Sequence, residues 1–134
     1  RMGRDKWIQE TDIFFDNIDI RTIKPLDMKI IKRSLRKTKK LLVLDTISHP
    51  VCSIGSEIIS QIYIDKKIKL LKSPILVTLP DVPSPTSTFY SKDFYVSKKN
   101  IFDKIKILLN KNININFKSD IGHDVPNSNF KGPF

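Results

Sequence analysis

Asp45, His49 and Cys52 fall in the order D-x-x-x-H-x-x-C, and nucleophilic and metal sites are built from these side-chain types. A Cys52 thiolate paired with His49 would attack an electrophile if a third group held the imidazole in place. Pro50 follows His49 directly and no orienting group stands nearby in the sequence. The expected role of Cys52 is therefore that of a small apolar residue near the start of a buried helix. A zinc site needs three or four ligands at recognisable spacings. His123 is the one further histidine, and no second cluster completes a set, so no metal ligand and no catalytic residue is expected. Asp45 closes the apolar run LLVLD. The carboxyl end of a strand is where open α/β sheets bind ligands, which would make it a general base or a ligand contact. A carboxylate there also caps the next turn through backbone N–H groups, and that structural role is the expectation.

Phosphate chemistry has no loop to serve it. The four glycines, Gly3, Gly55, Gly122 and Gly132, are scattered, with neither a G-x-G-x-x-G nor a Walker-type loop among them. Positive charge is abundant instead. Lys29, Lys32, Arg33, Arg36, Lys37, Lys39 and Lys40 crowd one stretch, and Lys66, Lys67, Lys69 and Lys72 repeat the theme. A phosphate-binding stripe has this form, which makes a free-standing basic nucleic-acid-binding α/β module the alternative function. Two features favour a solvated scaffold. Both clusters sit near helix ends that precede strands, where each cation stabilises the negative pole of the helix dipole by ~0.3–1 kcal/mol. No aromatic residues for base stacking are interleaved with them. Nucleic acid is therefore not the expected partner. The formal net charge is +10, yet Lys outnumbers Arg 19 to 5, with 21 Ile, 8 Asn and no Ala. That bias belongs to A/T-rich codons, so much of the charge follows codon supply.

The elements that would position these groups alternate along the chain. NIDIRTI (17–23) alternates Ile18, Ile20 and Thr22 with Asp19 and Arg21, the period of a strand. Pro25 then breaks pairing, and Asp27 is placed to cap a helix in which Met28, Ile31 and Leu35 form the buried stripe. LLVLD (41–45) reads as a strand buried on both faces of a parallel sheet. Residues 53–64 give a second helix, with Ile58, Ile59 and Ile62 at core spacing and Gly55 near its entry. PILVTL (74–79) is a third strand, its Pro74 at a first position where a missing N–H is tolerated. DVPSPTST (81–88) is a stiff polar loop, and KDFYV (92–96) is a short extended edge or a turn. Ser97 caps the third helix, whose apolar face is Ile101, Phe102, Ile105, Leu108 and Leu109. An Asn-rich tail follows over 112–134, in which NININF could add an edge strand and Phe130 and Phe134 either dock or are disordered. This alternation implies a three-layer α/β sandwich around a small, mostly parallel sheet.

A length of 134 residues suits one domain. The 40% hydrophobic and 28% charged content excludes a disordered chain. A lone cysteine excludes an internal disulfide framework and fits a reducing compartment. No apolar run approaches the ~20 residues of a membrane span, and RMGRDKWIQE has no secretory-signal character. No membrane partner is expected, and the expected location is cytoplasmic or an organelle matrix.

The order of these blocks resembles a known family. DIRTIKPLD (19–27), a helix ending in RKT (36–38), LLVLDT (41–46) and the helix entry at Gly55, Glu57 and Ile58 are similar to the transketolase C-terminal domain. The likeness is strongest to the beta subunit of the thiamine-diphosphate-dependent first component of 2-oxo acid dehydrogenases, which decarboxylates pyruvate or a related oxo acid. LPDVPSPTS (79–87), Phe94-Tyr95 and a closing helix extend it, so that it covers residues 13–111. The resemblance implies a segment 1–12 holding part of a helix, a domain over 13–111 and the tail. It also implies that the family's first strand is lacking, since only RMGRDKWIQETDIFFDN precedes the DIRTI strand. Thiamine diphosphate and magnesium would be held elsewhere in the parent enzyme, because the family's Gly-Asp-Gly motif has no counterpart here, and no cofactor-binding residue carries over. The implied role is subunit association, with other domains or subunits as partners in an oligomer and an acyltransferase core as a further one. ISHPVCSIG (47–55) departs from the more glycine-rich loop of the family. Phe89, Tyr90, Phe94 and Tyr95, on the loop 81–95, are the candidate interface residues, because aromatic rings on a Pro-stiffened loop lose little entropy on binding. The alternative is that these rings tuck back onto the domain's own core.

Overall fold

Three polar side chains start helices by supplying acceptors that the first helical turn lacks. In the computed structural model, which describes residues 13–46, 48–87, 89–90 and 94–111, Asp27 accepts from the Lys29 and Ile30 N–H groups at 3.0 and 3.3 Å and opens α1 (Met28–Thr38). Ser53 accepts from the Ser56 N–H at 3.0 Å and opens α2 (Ile54–Ile64). Ser97 accepts from the Asn100 N–H at 3.2 Å and opens α3 (Lys98–Leu109). Strand β1 (Leu42–Asp45) lies between α1 and α2, and β2 (Ile75–Thr78) between α2 and α3. Segment 1–12 with its partial helix, the tail with NININF, His123, Phe130 and Phe134, and residues 91–93 of KDFYV lie outside the described residues.

The two strands pair in parallel, in the register Leu42 with Ile75 through Asp45 with Thr78. Alternation along a strand turns Val43, Asp45 and Leu76 toward α2, where all three approach Gly55. Ile75 and Val77 turn the other way, and α3 is the helix packed against β2, with Phe102, Ile105 and Leu108 buried. On the α2 side, Ile31 and Leu35 of α1 interlock with Ile58 and Ile62 of α2, flanked by Ile18, Leu26 and Val43. The result is the expected three-layer α/β arrangement, with α1 and α2 on one side of the sheet and α3 on the other.

Two expectations about strands need correction. NIDIRTI is not in the sheet: residues 17–22 form no ladder, and 23–26 turn into α1. Alternation is a property of one segment, whereas a strand also needs a partner edge. Here Asp19 and Arg21 pair with each other at 3.3 Å in solvent, Ile23 is exposed, and only Ile18 reaches the α1–α2 cluster. LLVLD is a strand but is not buried on both faces, because a two-stranded sheet leaves Leu44 49% exposed.

Side-chain ties fasten the layers at the helix ends. Lys32 of α1 pairs with Asp65, the C-cap residue of α2, at 2.7 Å. Lys72 donates to the Ile107 carbonyl in the last turn of α3 at 3.1 Å, a cation at the negative pole of a helix dipole. Lys39 and Asn110, at the ends of α1 and α3, hold left-handed φ of 53° and 55°, the conformation that closes a helix.

A Cβ on Gly55 would lie 2.5 Å from Leu76 Cδ1 and 3.1 Å from Val43 Cγ1. Leu76 can rotate away, but β-branched Val43 is stiff. Gly55→Ala is expected to destabilise the domain by about 1–2 kcal/mol in thermal melts, overpacking outweighing a helix-propensity gain of up to about 1 kcal/mol. The Lys32 ammonium, and after it the Lys67 N–H, hold the Asp65 carboxyl below its ordinary value of 3.8. A lowered pKa adds stability above 3.8, and that stability is lost as pH falls through the lower folded value. Asp65→Asn is therefore expected to melt earlier than the wild type near neutral pH, and the gap should close below about pH 3.8.

Candidate functional site

The loops leaving the carboxyl ends of β1 and β2 gather most of the residues singled out by chemistry. Asp45 Oδ2 accepts from the Gly55 N–H at 3.2 Å, and its backbone carbonyl accepts from the Ser48 N–H at 3.4 Å. The carboxylate serves a backbone N–H, as expected, but that N–H lies ten residues on in the first turn of α2, while the turn after β1 is closed by the backbone carbonyl. Ser56 Oγ donates to the Pro50 carbonyl at 2.7 Å, so α2 holds the β1 exit loop from inside. Ser53, 4% exposed, is the buried polar residue of this turn, and its hydroxyl meets that of Ser56 at 3.0 Å.

Cys52 precedes this cap with φ of 58°. It is exposed, which corrects the expectation of a buried helix start: the chain enters the cap through a left-handed residue, and that turn carries the side chain outward. No hydrogen bond joins Cys52 to His49 among the described residues. Instead, His49 Nδ1 lies 2.8 Å from the Pro80 carbonyl oxygen, on the loop leaving β2. The Leu79 N–H donates to the Ser48 carbonyl at 3.0 Å, and the Val82 N–H donates to the Pro80 carbonyl at 2.8 Å. The tie between His49 and Pro80 spans 31 residues, and no local spacing in the sequence announces it.

The four candidate interface aromatics separate into an anchor and a display. Phe94 is 6% exposed; its ring meets His49 edge to face at 6.4 Å and Tyr95 at 5.2 Å. Phe89 and Tyr90 are 73% and 65% exposed and meet edge to face at 5.3 Å with planes at 87°. Ser87 holds them: its hydroxyl accepts from the Phe89 N–H at 3.3 Å and its carbonyl from the Tyr90 N–H at 3.1 Å. Phe89, Tyr90 and Phe94 have helical backbone, so the stretch around 92–96 is not an extended edge where it is described. Exposed Val51 and Val82 stand on the two exit loops.

Other features lie elsewhere. Two open hollows, of about 430 and 330 Å³, are lined by Tyr63, Lys66 and Leu71, and by Phe15, Ile30 and Arg33. Neither is lined by Asp45, His49 or Cys52. Among the described residues no group of three His, Cys, Asp or Glu side chains stands together. Lys29, Arg33, Arg36 and Lys37 of α1 are exposed or nearly so, while Lys32 and Lys72 serve the ties described above.

Fold and surface together define a small α/β domain with exposed aromatic rings between β2 and α3. The family profile described as "Transketolase, C-terminal domain" matches residues 6–101, and the chain belongs to that family. It is 33% identical over 94 residues to the human mitochondrial pyruvate dehydrogenase E1 component subunit beta, covering 69% of this chain and 26% of that protein. The pyruvate dehydrogenase E1 component subunit beta of Gracilaria tenuistipitata var. liui is 32% identical over 93 residues, 69% of this chain and 28% of that protein. The beta subunit of the acetoin:2,6-dichlorophenolindophenol oxidoreductase of Bacillus subtilis is 37% identical over 81 residues, 60% of this chain and 23% of that protein. The chain thus spans about a quarter of the length of these curated relatives. None of the helices among the described residues is long and apolar enough to cross a membrane.

The anchor and the display differ in what they contribute to stability. Phe94→Ala is expected to cost about 3 kcal/mol, as deletion of a buried ring does, and Phe89→Ala to stay within about 0.5 kcal/mol, both read from urea unfolding of the full chain.

Proposed function

We propose that this chain is the C-terminal subunit-association domain of a 2-oxo acid dehydrogenase beta subunit of the pyruvate dehydrogenase type. It makes and breaks no bonds by itself and supports oxidative decarboxylation by the whole thiamine-diphosphate enzyme. The observation that carries this reading is the family match over residues 6–101, joined to relatives that are named as beta subunits. The aromatic pair Phe89 and Tyr90, with Tyr95 beside the buried Phe94, supports it as a contact face. Its rings present large area on a braced turn, so little entropy is lost on docking.

The described residues do not fit thiamine diphosphate or its metal. The carboxylate nearest a ligand-binding position, Asp45, is engaged by the Gly55 N–H, and no cluster of metal-ligating side chains accompanies it among the described residues. In this reading the cofactor and magnesium belong to other domains of the parent enzyme. The partners are those domains and subunits, with the acyltransferase core as a further one, in the cytoplasm or an organelle matrix.

The test is co-expression of the full chain with the alpha subunit of the same enzyme component. The double variant Phe89→Ala/Tyr90→Ala is expected to weaken association at least tenfold by titration, as loss of two aromatic contacts does, while its unfolding midpoint stays near that of the wild type. Unchanged association in a folded double variant would sink the reading.

A further inference from the structure

We infer that His49 is a positioning residue: its imidazole joins the loop leaving β1, the loop leaving β2 and Phe94, and so sets the shape of the aromatic contact face. This inference rests on the contact role proposed above and adds the group that holds the face in place. The Pro80 carbonyl is its centre. A carbonyl oxygen has two lone pairs and only accepts. The Val82 N–H takes one at 2.8 Å, and His49 Nδ1, also at 2.8 Å, takes the other. Nδ1 must therefore carry the hydrogen. It does so both in one neutral tautomer and in the imidazolium, so the tie does not depend on the charge of the ring.

The same ring packs against Phe94 at 6.4 Å and 64°, and Phe94 packs against Tyr95 at 5.2 Å. A single side chain on the β1 exit loop thus contacts two other segments, at Pro80 and at Phe94. The parallel bond from the Leu79 N–H to the Ser48 carbonyl at 3.0 Å sets the two loops side by side, and His49 locks their outer ends. Without it, the turn at Pro80 and Val82 and the seat of Phe94 lose their common support, while the α1–α2 cluster of Ile31, Leu35, Ile58 and Ile62 is untouched.

Three variants of the full chain separate the parts of this role. His49→Asn keeps a donor near the Nδ1 position and loses the ring. His49→Phe keeps a ring against Phe94 and loses the donor. His49→Ala loses both. Amide hydrogen exchange at Leu79 and Val82 is expected to accelerate about five- to tenfold in His49→Ala and His49→Phe, the scale of one lost hydrogen bond. His49→Asn should restore most of that protection, and exchange at Ile58 and Ile62 should stay unchanged in all three. Association with the alpha subunit should weaken in His49→Ala, and Phe89→Ala/Tyr90→Ala is measured beside it. Weaker binding in both, with loosened exit loops, supports the inference. Weaker binding in the aromatic double variant alone, or unchanged exchange at Leu79 and Val82, overturns the role of His49 and leaves the contact face standing. Unchanged binding in the double variant removes the contact face and this inference with it.

Discussion

The distance between α2 and the sheet is the constraint on which the rest of the domain depends. Gly55 sits where any side chain would meet Leu76, Val43 and Asp45, so the helix enters against the strands with no layer between. Only at that separation can the Asp45 carboxylate reach the Gly55 N–H. One short bond then joins the end of β1 to the first turn of α2 and fixes how the intervening loop must fold. Ser56 holds the Pro50 carbonyl from the helix side, Cys52 takes the left-handed turn, and His49 is left facing the β2 exit loop. A close approach chosen for packing thereby places residues that belong to the surface.

Local chemistry made the helices readable in advance. Asp27 and Ser97 are caps by residue type, and each proves to accept from backbone N–H groups two or three residues on; Ser53, read as part of the second helix, caps it instead. Asp45 was readable for the same reason, since a carboxylate at a strand end has few partners other than the next turn. The segment 17–23 failed for the complementary reason. Its alternation is real, but pairing is decided by a neighbour that the segment itself does not encode. Phe94 and Phe89 have the same residue type and stand five positions apart, and nothing local distinguishes the buried ring from the exposed one. His49 suggests by spacing a partner for Cys52 or a metal ligand with Asp45, and its actual partner lies 31 residues away.

Charge follows a similar division. Lys32 and Lys72 are drawn into specific ties, one to a C-cap carboxylate and one to a helix-terminal carbonyl. The second shows that a cation can serve a helix other than its own, because the loop before β2 passes the end of α3. The exposed lysines and arginines of α1 make no such tie among the described residues, and α1 carries no aromatic residue on which a base could stack.

Among the described residues the parallel sheet has two strands, whereas parallel sheets are ordinarily covered on both faces and pairs of strands are marginal alone. Leu44 stands half exposed on β1, and Ile64, Leu71 and Ile107 are exposed around the far end of α2 and α3. Such surface costs little if further protein covers it. A chain spanning about a quarter of its relatives' length has the rest of a subunit from which such cover would come, on the proposed reading. The aromatic face differs in kind from this apolar remainder. Phe89 and Tyr90 are exposed just after Ser87, which holds their backbone in place. An uncovered sheet needs only apolar neighbours of the right shape, whereas a braced pair of rings has a fixed geometry to match. On the proposed reading, then, the loop ends of the strands would carry the specificity of assembly, and the open sheet its adhesion.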